Sequence, residues 1–222
     1  MQASSPRPDD NEDHRLGAPL PGTDRKNVGR VRAHMEFWRA LWRDPFLVGA
    51  VVPSSRFLGD AMIDGVDLSR GAIVEFGPGT GALTESLHRH MPDHSHYLGI
   101  EFNARFVELL RGKFPDLAFH HGSAEDFDRI AHEHDLPEIS TIISGVPFAS
   151  LPDEIEDGII AALKRGMLPG THFRIFQYAH SFYLPRSYRF REKMAEHFGE
   201  HTVDRVVVRN IPPAFVISWT QP

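Results

Sequence analysis

Ile73-Val74-Glu75-Phe76-Gly77-Pro78-Gly79-Thr80-Gly81-Ala82-Leu83-Thr84 carries the strongest structural signal in the chain. An apolar run with strand character stops at an acidic residue and three spaced glycines, and a helical pattern begins directly after. Glycine reaches backbone conformations closed to other residues, so the chain can turn sharply and let a ligand approach the main chain. The helix that follows offers unpaired N–H groups at its start. The G-x-G-x-G spacing departs from the dinucleotide pattern G-x-G-x-x-G. A tight strand-to-helix turn without a ligand is the plain alternative.

A second signal lies about 20 residues on, in Tyr97-Leu98-Gly99-Ile100-Glu101-Phe102-Asn103. This short apolar run ends in a carboxylate at the expected tip of the next strand. Such an acid accepts hydrogen bonds from both hydroxyls of a ribose and leaves no room for a phosphate. Alone, Glu101 is equally well read as a charge at a helix N-terminus.

With Glu75 before the turn, E-x-G-x-G-x-G resembles the first motif of class I S-adenosylmethionine-dependent methyltransferases. The resemblance implies that Glu101 holds the cofactor ribose with Phe102 beside it, while Glu75 and the Gly77, Gly79, Thr80, Gly81 turn hold the methionine end. His121-Gly122-Ser123-Ala124-Glu125-Asp126-Phe127 follows the third strand. There the resemblance implies that Ser123, Ala124 and Glu125 meet the adenine. The same Ser123 also reads as a helix N-cap, with Asp126 as its capping-box partner. Ser54 and Ser144 complete the implied cofactor contacts.

The order of elements supports this class. After a Ser/Pro/Asp-rich start, read as a disordered tail over residues 1–26, an amphipathic helix and connector occupy 27–52, and the catalytic domain spans 53–222. Ser54 or Ser55 is expected to cap a helix reaching Met62. Strands are expected at 72–76, 97–101, 117–120, 139–144 and 172–178, alternating with helices at 80–90, 103–113, 124–134 and 153–165. A helix at 188–198 then precedes strands at 202–208 and 213–219. Alternation of this kind implies a parallel α/β sheet with helices on both faces. The two final strands imply a closing antiparallel hairpin. The resemblance implies a Rossmann-like, seven-stranded, mostly parallel sheet with an N-terminal helical extension.

Composition excludes several classes. With no cysteine, disulfide scaffolds, thiolate metal sites and cysteine nucleophiles are ruled out. A formal net charge of −6 disfavours wrapping by nucleic acid. No apolar run approaches the roughly 20 residues needed to cross a bilayer, and Met1–Asp13 lacks the apolar core of a secretory signal. Fourteen histidines are present, but none stands in an H-E-x-x-H pair. They read as solvated surface groups, and no metal is expected.

The acceptor is read from Ile143-Ser144-Gly145-Val146-Pro147-Phe148. Ribosomal RNA adenine dimethyltransferases, which the chain otherwise resembles from Asp44 onward, carry an amide or acid where Ser144-Gly145 stands. A flipped adenine would lose its acceptor here. Ser-Gly-Val-Pro-Phe instead resembles bacterial phospholipid N-methyltransferases, as do Asp44-Pro45-Phe46-Leu47-Val48-Gly49-Ala50-Val51-Val52-Pro53-Ser54-Ser55 and Asn210-Ile211-Pro212-Pro213-Ala214. That resemblance implies methylation of phosphatidylethanolamine toward phosphatidylcholine. Ornithine-lipid methylation, RNA adenine methylation and a non-catalytic cofactor-binding module are the alternatives.

For this substrate, Val146 and Phe148 are expected at the headgroup, and Arg186, among arginines and aromatics over Phe182–Arg191, at the lipid phosphate. Tyr178 is expected to orient the amine and His180 to take its proton. Packing for Tyr178 and solvation for His180 are the competing readings. Along the first helix, Met35, Trp38 and Trp42 share an apolar side bordered by Arg32, Arg39 and Arg43. This pattern suits an anionic membrane surface, although a helix docked on the sheet would show it too. The expected location is cytoplasmic, peripheral to the inner face of the cytoplasmic membrane. The oligomeric state is not legible.

Overall fold

A computed structural model describes residues 55–204 and 206–222. The expected tail, the helix with Arg32, Met35, Trp38, Arg39, Trp42 and Arg43, the connector and Ser54 lie outside the described residues.

The first described helix, α1 (Arg56–Ile63), starts as its sequence requires: Ser55 Oγ accepts from Leu58 N at 3.3 Å. Strand β1 (Ala72–Phe76) leads through the glycine turn to α2 (Ala82–His90). Then follow β2 (Tyr97–Glu101), α3 (Ala104–Lys113) and β3 (Ala118–His121). Next come α4 (Phe127–Glu133), β4 (Ile139–Ser144), α5 (Asp153–Gly166) and β5 (His172–Tyr178). A one-turn helix α6 (Ala179–Phe182) and the longer α7 (Pro185–Phe198) precede β6 (Thr202–Val203) and β7 (Ala214–Thr220).

The seven strands form one sheet in the order β3-β2-β1-β4-β5-β7-β6. Strands β1 to β5 pair in parallel, and β7 enters antiparallel between β5 and β6. Every residue of β1 and β2 is buried, as expected for strands covered on both faces. Chain order reverses between β1 and β4, so a crevice opens beyond the carboxyl ends of these strands.

Two layers of side chains hold the helices on. On the α1/α2 face, Leu58, Met62, Ile73, Leu83, Leu87, Tyr97 and Tyr178 belong to one buried cluster. On the other, Phe76 meets Phe127 and Phe173, and Phe173 meets Phe148 and Trp219. Buried Arg174 anchors α1 to the sheet. It donates to the carbonyls of Met62 and Asp64 at 3.0 and 2.7 Å, to Ser218 Oγ and to Asp204. A buried guanidinium is tolerated because its donors are matched.

Most boundaries fall within one or two residues of expectation, and three departures are larger. Helix α7 begins at Pro185 rather than 188, because proline is favoured in a first helical turn. The expected strand 202–208 shrinks to Thr202–Val203 plus a bridge from Val207 to Ala214, leaving a very short edge that resists pairing with other chains. Within 124–134, the first turn, Ala124–Asp126, is a 3-10 helix.

Candidate active site

The glycine turn is strained for any other residue: Gly77, Gly79 and Gly81 have φ of 63°, 59° and 86°. Its neighbour is the loop after β4. A Cβ on Gly145 would lie 2.8 Å from the carbonyl oxygen of Gly77, so the two segments touch backbone to backbone. Gly145 N donates to Phe76 O at 2.8 Å, and Gly77 N to Ile100 O at 2.9 Å. The turn is therefore pinned to both flanking strands, with Thr80 exposed at its end.

Glu75 is fully buried at the end of β1. Its Oε2 accepts from Thr84 Oγ1 at 2.8 Å and from Tyr97 OH at 2.6 Å, while Oε1 has no partner among the described residues. Burial pushes the carboxyl up from 4.5 to about 7, against the pull of those hydroxyl donors, and the nearby Glu101 adds to the rise. Tyr97 holds its own proton firmly, because burial and the Glu75 charge both raise it well above the ordinary tyrosine value.

Glu101, 2% exposed at the tip of β2, reaches across to the turn. Its Oε2 accepts from Gly79 N at 2.9 Å and its Oε1 from Asn103 N at 2.7 Å. Burial raises its carboxyl too, and the backbone donors oppose that. The side-chain and backbone donors to both acids are uncharged. Two buried acids satisfied only by neutral donors make a strongly cation-seeking pocket.

Beyond Glu101, His121 Nε2 donates to the carbonyl of the half-buried Phe102 at 3.0 Å. Ser123 caps the turn beginning at Ala124, accepting from Glu125 N at 3.3 Å. Its hydroxyl donates to Glu125 Oε2 at 3.0 Å, so the reciprocal partner is Glu125 and not Asp126, which lies 3.6 Å from Arg129. The Glu125 carboxylate lies against α5, 2.3 Å from where a Cβ on Gly158 would stand.

After β4, buried Ser144 accepts from Val146 N at 3.1 Å, which fixes the local turn. Val146 packs 3.0 Å from the Cβ position of Gly77 and is buried. Phe148 stacks on Phe190 at 4.5 Å and meets Phe173 edge-on at 5.9 Å, which places its ring in the core under α7 rather than in the cleft. Arg186 donates to the Leu151 carbonyl and to Asp153 Oδ1, strapping α7 to the start of α5. At the end of β5, Tyr178 is 7% exposed and its ring stacks on exposed His180 at 5.7 Å, with 10° between planes.

The structure thus brings Glu75, Glu101, the glycine turn and the Ser144–Val146 loop together, with Tyr178 and His180 at the same sheet end. Sequence reasoning missed Tyr97 and Thr84 as the donors that hold Glu75. It also missed the demand for glycine at position 99, which pairs with Glu75. A Cβ on Gly99 would come within 2.8 Å of the Tyr97 hydroxyl and 2.7 Å of the Phe119 ring.

Comparison with known proteins bears on the fold. No protein-family profile matches the chain. An ornithine lipid N-methyltransferase from Singulisphaera acidiphila is 23% identical over 172 residues, covering 75% of this chain and 85% of that protein. Among solved structures, the glycopeptide N-methyltransferase MtfA, complexed with S-adenosylmethionine, superposes with a TM-score of 0.59. It is 10% identical, over 77% of this chain and 96% of that one. A TehB-like S-adenosylmethionine-dependent methyltransferase from Corynebacterium glutamicum gives 0.54 at 17% identity, over 86% of this chain and 100% of that one. Fibrillarin from Aeropyrum pernix, with natively bound S-adenosylmethionine, gives 0.52 at 12% identity, over 75% and 76%. The chain folds as a class I S-adenosylmethionine-dependent methyltransferase.

Proposed function

We propose that this protein transfers methyl groups from S-adenosylmethionine to the amine of a membrane lipid headgroup. The observation that carries the cofactor assignment is the orphaned Oε1 of Glu75, a buried acceptor beside the glycine turn and Glu101. S-adenosylmethionine brings an ammonium and a sulfonium, the charges this acidic pocket lacks, and a ribose diol for Glu101. When bound, it supplies an electrophilic methyl group.

The protein's part is placement and proton handling. Glu75 and the turn would hold one end of the donor, and Glu101 would hold the ribose hydroxyls. The Ser144–Val146 loop closes the floor. Tyr178 orients the incoming amine, and its ring face tolerates the positive charge that grows there. Exposed His180, stacked on that ring, takes the amine proton and passes it to water. Alignment of nitrogen, methyl and sulfur contributes most of the rate.

Several features support a lipid acceptor. The Ser144-Gly145 pair offers no side-chain amide for a nucleobase. The connections at this sheet end carry exposed apolar groups: Tyr183, 79% exposed, with Leu184 and Tyr188 after β5, and Ile211, 76% exposed, with Val208 before β7. Arg189 and Arg209 accompany them. Such mixed apolar and basic rims suit an anionic headgroup layer, together with the tryptophan-rich segment over 28–43. No helix among the described residues is long and apolar enough to cross a membrane.

Phosphatidylethanolamine is the acceptor favoured by the Asp44–Ser55, Ser144–Phe148 and Asn210–Ala214 motifs. A second reading, ornithine lipid, is favoured by the Singulisphaera relative. Both are primary amines at a bilayer surface. Incubation with methyl-labelled S-adenosylmethionine and vesicles of either lipid, or RNA, tests the proposal. Label is expected in lipid; label in RNA alone would reject it, and the ratio between lipids assigns the headgroup.

A further inference from the structure

At the sheet end opposite the cleft, where β2 and β3 begin, three side chains from separate segments converge. His88 lies in the last turn of α2, His94 opens the 3-10 turn into β2, and Asp116 stands in the loop before β3. The sequence suggests only solvated histidines here. Yet their donor atoms all lie within 4.8 Å of one another.

The hydrogen-bond chemistry of His94 fixes which of its nitrogens faces the cluster. Its Nε2 stands 2.9 Å from the carbonyl oxygen of His88, and a carbonyl only accepts, so Nε2 carries the hydrogen. A neutral ring then points the Nδ1 lone pair at Asp116 Oδ2, 2.5 Å away. Two lone pairs facing each other repel unless a proton or a metal ion lies between them. His88 Nε2 approaches the same carboxylate, at 2.9 and 3.1 Å from its two oxygens. The two imidazole rings stack at 4.3 Å with 24° between planes. A proton on His94 alone answers this contact, with neutral His88 donating its Nε2–H to the same carboxylate; a metal ion instead engages both rings through lone pairs. One shared divalent ion leaves both rings neutral and more than offsets the single carboxylate charge, which leaves a coordination position open to water or a further anion.

We propose that His88, His94 and Asp116 form a binding site for a divalent transition metal of the zinc class. The ligand set is two imidazoles and a carboxylate, with His94 oriented by a backbone carbonyl as ligating histidines commonly are. Tetrahedral bonds of about 2.0–2.2 Å put ligand atoms roughly 3.3 Å apart, so the two nitrogen–carboxylate separations, 2.9 and 2.5 Å, need to open by less than about 1 Å. The role is structural: one ion ties the end of α2 to the entries of β2 and β3. Helix α2 begins at the glycine turn, so the ion steadies the cofactor pocket from behind. This assignment is independent of the methyl-transfer reading.

The test uses the full chain, stripped of metal with a chelator and titrated with zinc at neutral pH by calorimetry, alongside thermal unfolding. Expected are one saturable equivalent and a rise in Tm of about 5–10 °C at a hundredfold excess over Kd. His94→Ala and Asp116→Asn are expected to weaken binding about 100-fold or more, and His132→Ala, on α4, to leave it unchanged. Cobalt(II) provides a second readout through a visible absorption band that His88→Gln abolishes, with far-UV circular dichroism verifying that each variant folds. Absence of saturable zinc binding, or equal affinity in folded His94→Ala, would overturn the proposal.

Discussion

Tyr97 donates its phenolic hydrogen to Glu75 Oε2 at 2.6 Å across the β1–β2 pair, and Gly99, paired with Glu75, leaves the space for it. The bond leaves Oε1 as the carboxylate oxygen without a partner among the described residues. Binding chemistry is thus set up by a strand-to-strand contact outside any recognised motif.

Tyr97→Phe removes that donor while keeping the ring that packs edge-on to Phe119. An acid left short of a partner in the interior costs about 1–3 kcal/mol. Urea unfolding should show a loss of that size at pH 7.5. Calorimetry should show cofactor affinity reduced, since Glu75 is then freer to turn.

The raised Glu75 carboxyl makes stability pH-dependent in a definite direction. The folded protein holds a proton there up to about pH 7, whereas the unfolded chain releases it near 4.5. Stability from this group is therefore full below 4.5 and declines as pH rises toward 7, by about 3 kcal/mol in all. Glu75→Gln should match wild type near pH 4.5 and exceed it above pH 7, while binding cofactor less tightly. The difference between the two urea-derived pH profiles isolates this group from the histidines titrating in the same range. A flat difference would show that Glu75 is not buried as a proton-holding acid.

Gly145→Ala forces a methyl to within 2.8 Å of the Gly77 carbonyl oxygen, a backbone atom that cannot rotate aside. The turn must shift, at a cost of about 1–3 kcal/mol and with weakened cofactor binding. Gly112→Ala, in α3 with nothing within 4 Å of the new methyl, should instead stabilise by about 0.5–1 kcal/mol. Thermal unfolding of the two variants separates local crowding from general glycine effects.

The parallel strands were legible because strands buried on both faces read as short apolar runs bounded by glycine and polar turns. The acids closing β1 and β2 were legible for the same reason: each interrupts such a run at its end. What depends on register across strands was not. Nothing in Tyr97 or Gly99 announces that they face Glu75, and Arg174 does not reveal from sequence that it caps α1. The Phe148 expectation came from the Ser-Gly-Val-Pro-Phe motif and that for Arg186 from the arginine and aromatic run over Phe182–Arg191, and neither pattern tells which way a side chain turns. In the fold, Arg186 is engaged by Leu151 and Asp153, and Phe148 is drawn into the aromatic layer by Phe190.

Membrane attachment is tested by sedimentation with anionic vesicles. Protein lacking residues 1–43 should bind them markedly less than the full chain, and the remainder should fall further when Tyr183 and Ile211 are changed to Ser. Unchanged binding in both would remove lipid contact from these segments.

The central claim is that Glu75, Glu101 and the glycine turn grip a sulfonium nucleoside. Titrating purified protein with S-adenosylmethionine in a calorimeter, beside Glu101→Ala, addresses it directly. One saturable site per chain in the wild type, absent in the folded variant, is the predicted outcome. No heat from the wild type at any attainable concentration, or equal affinity in Glu101→Ala, would contradict it.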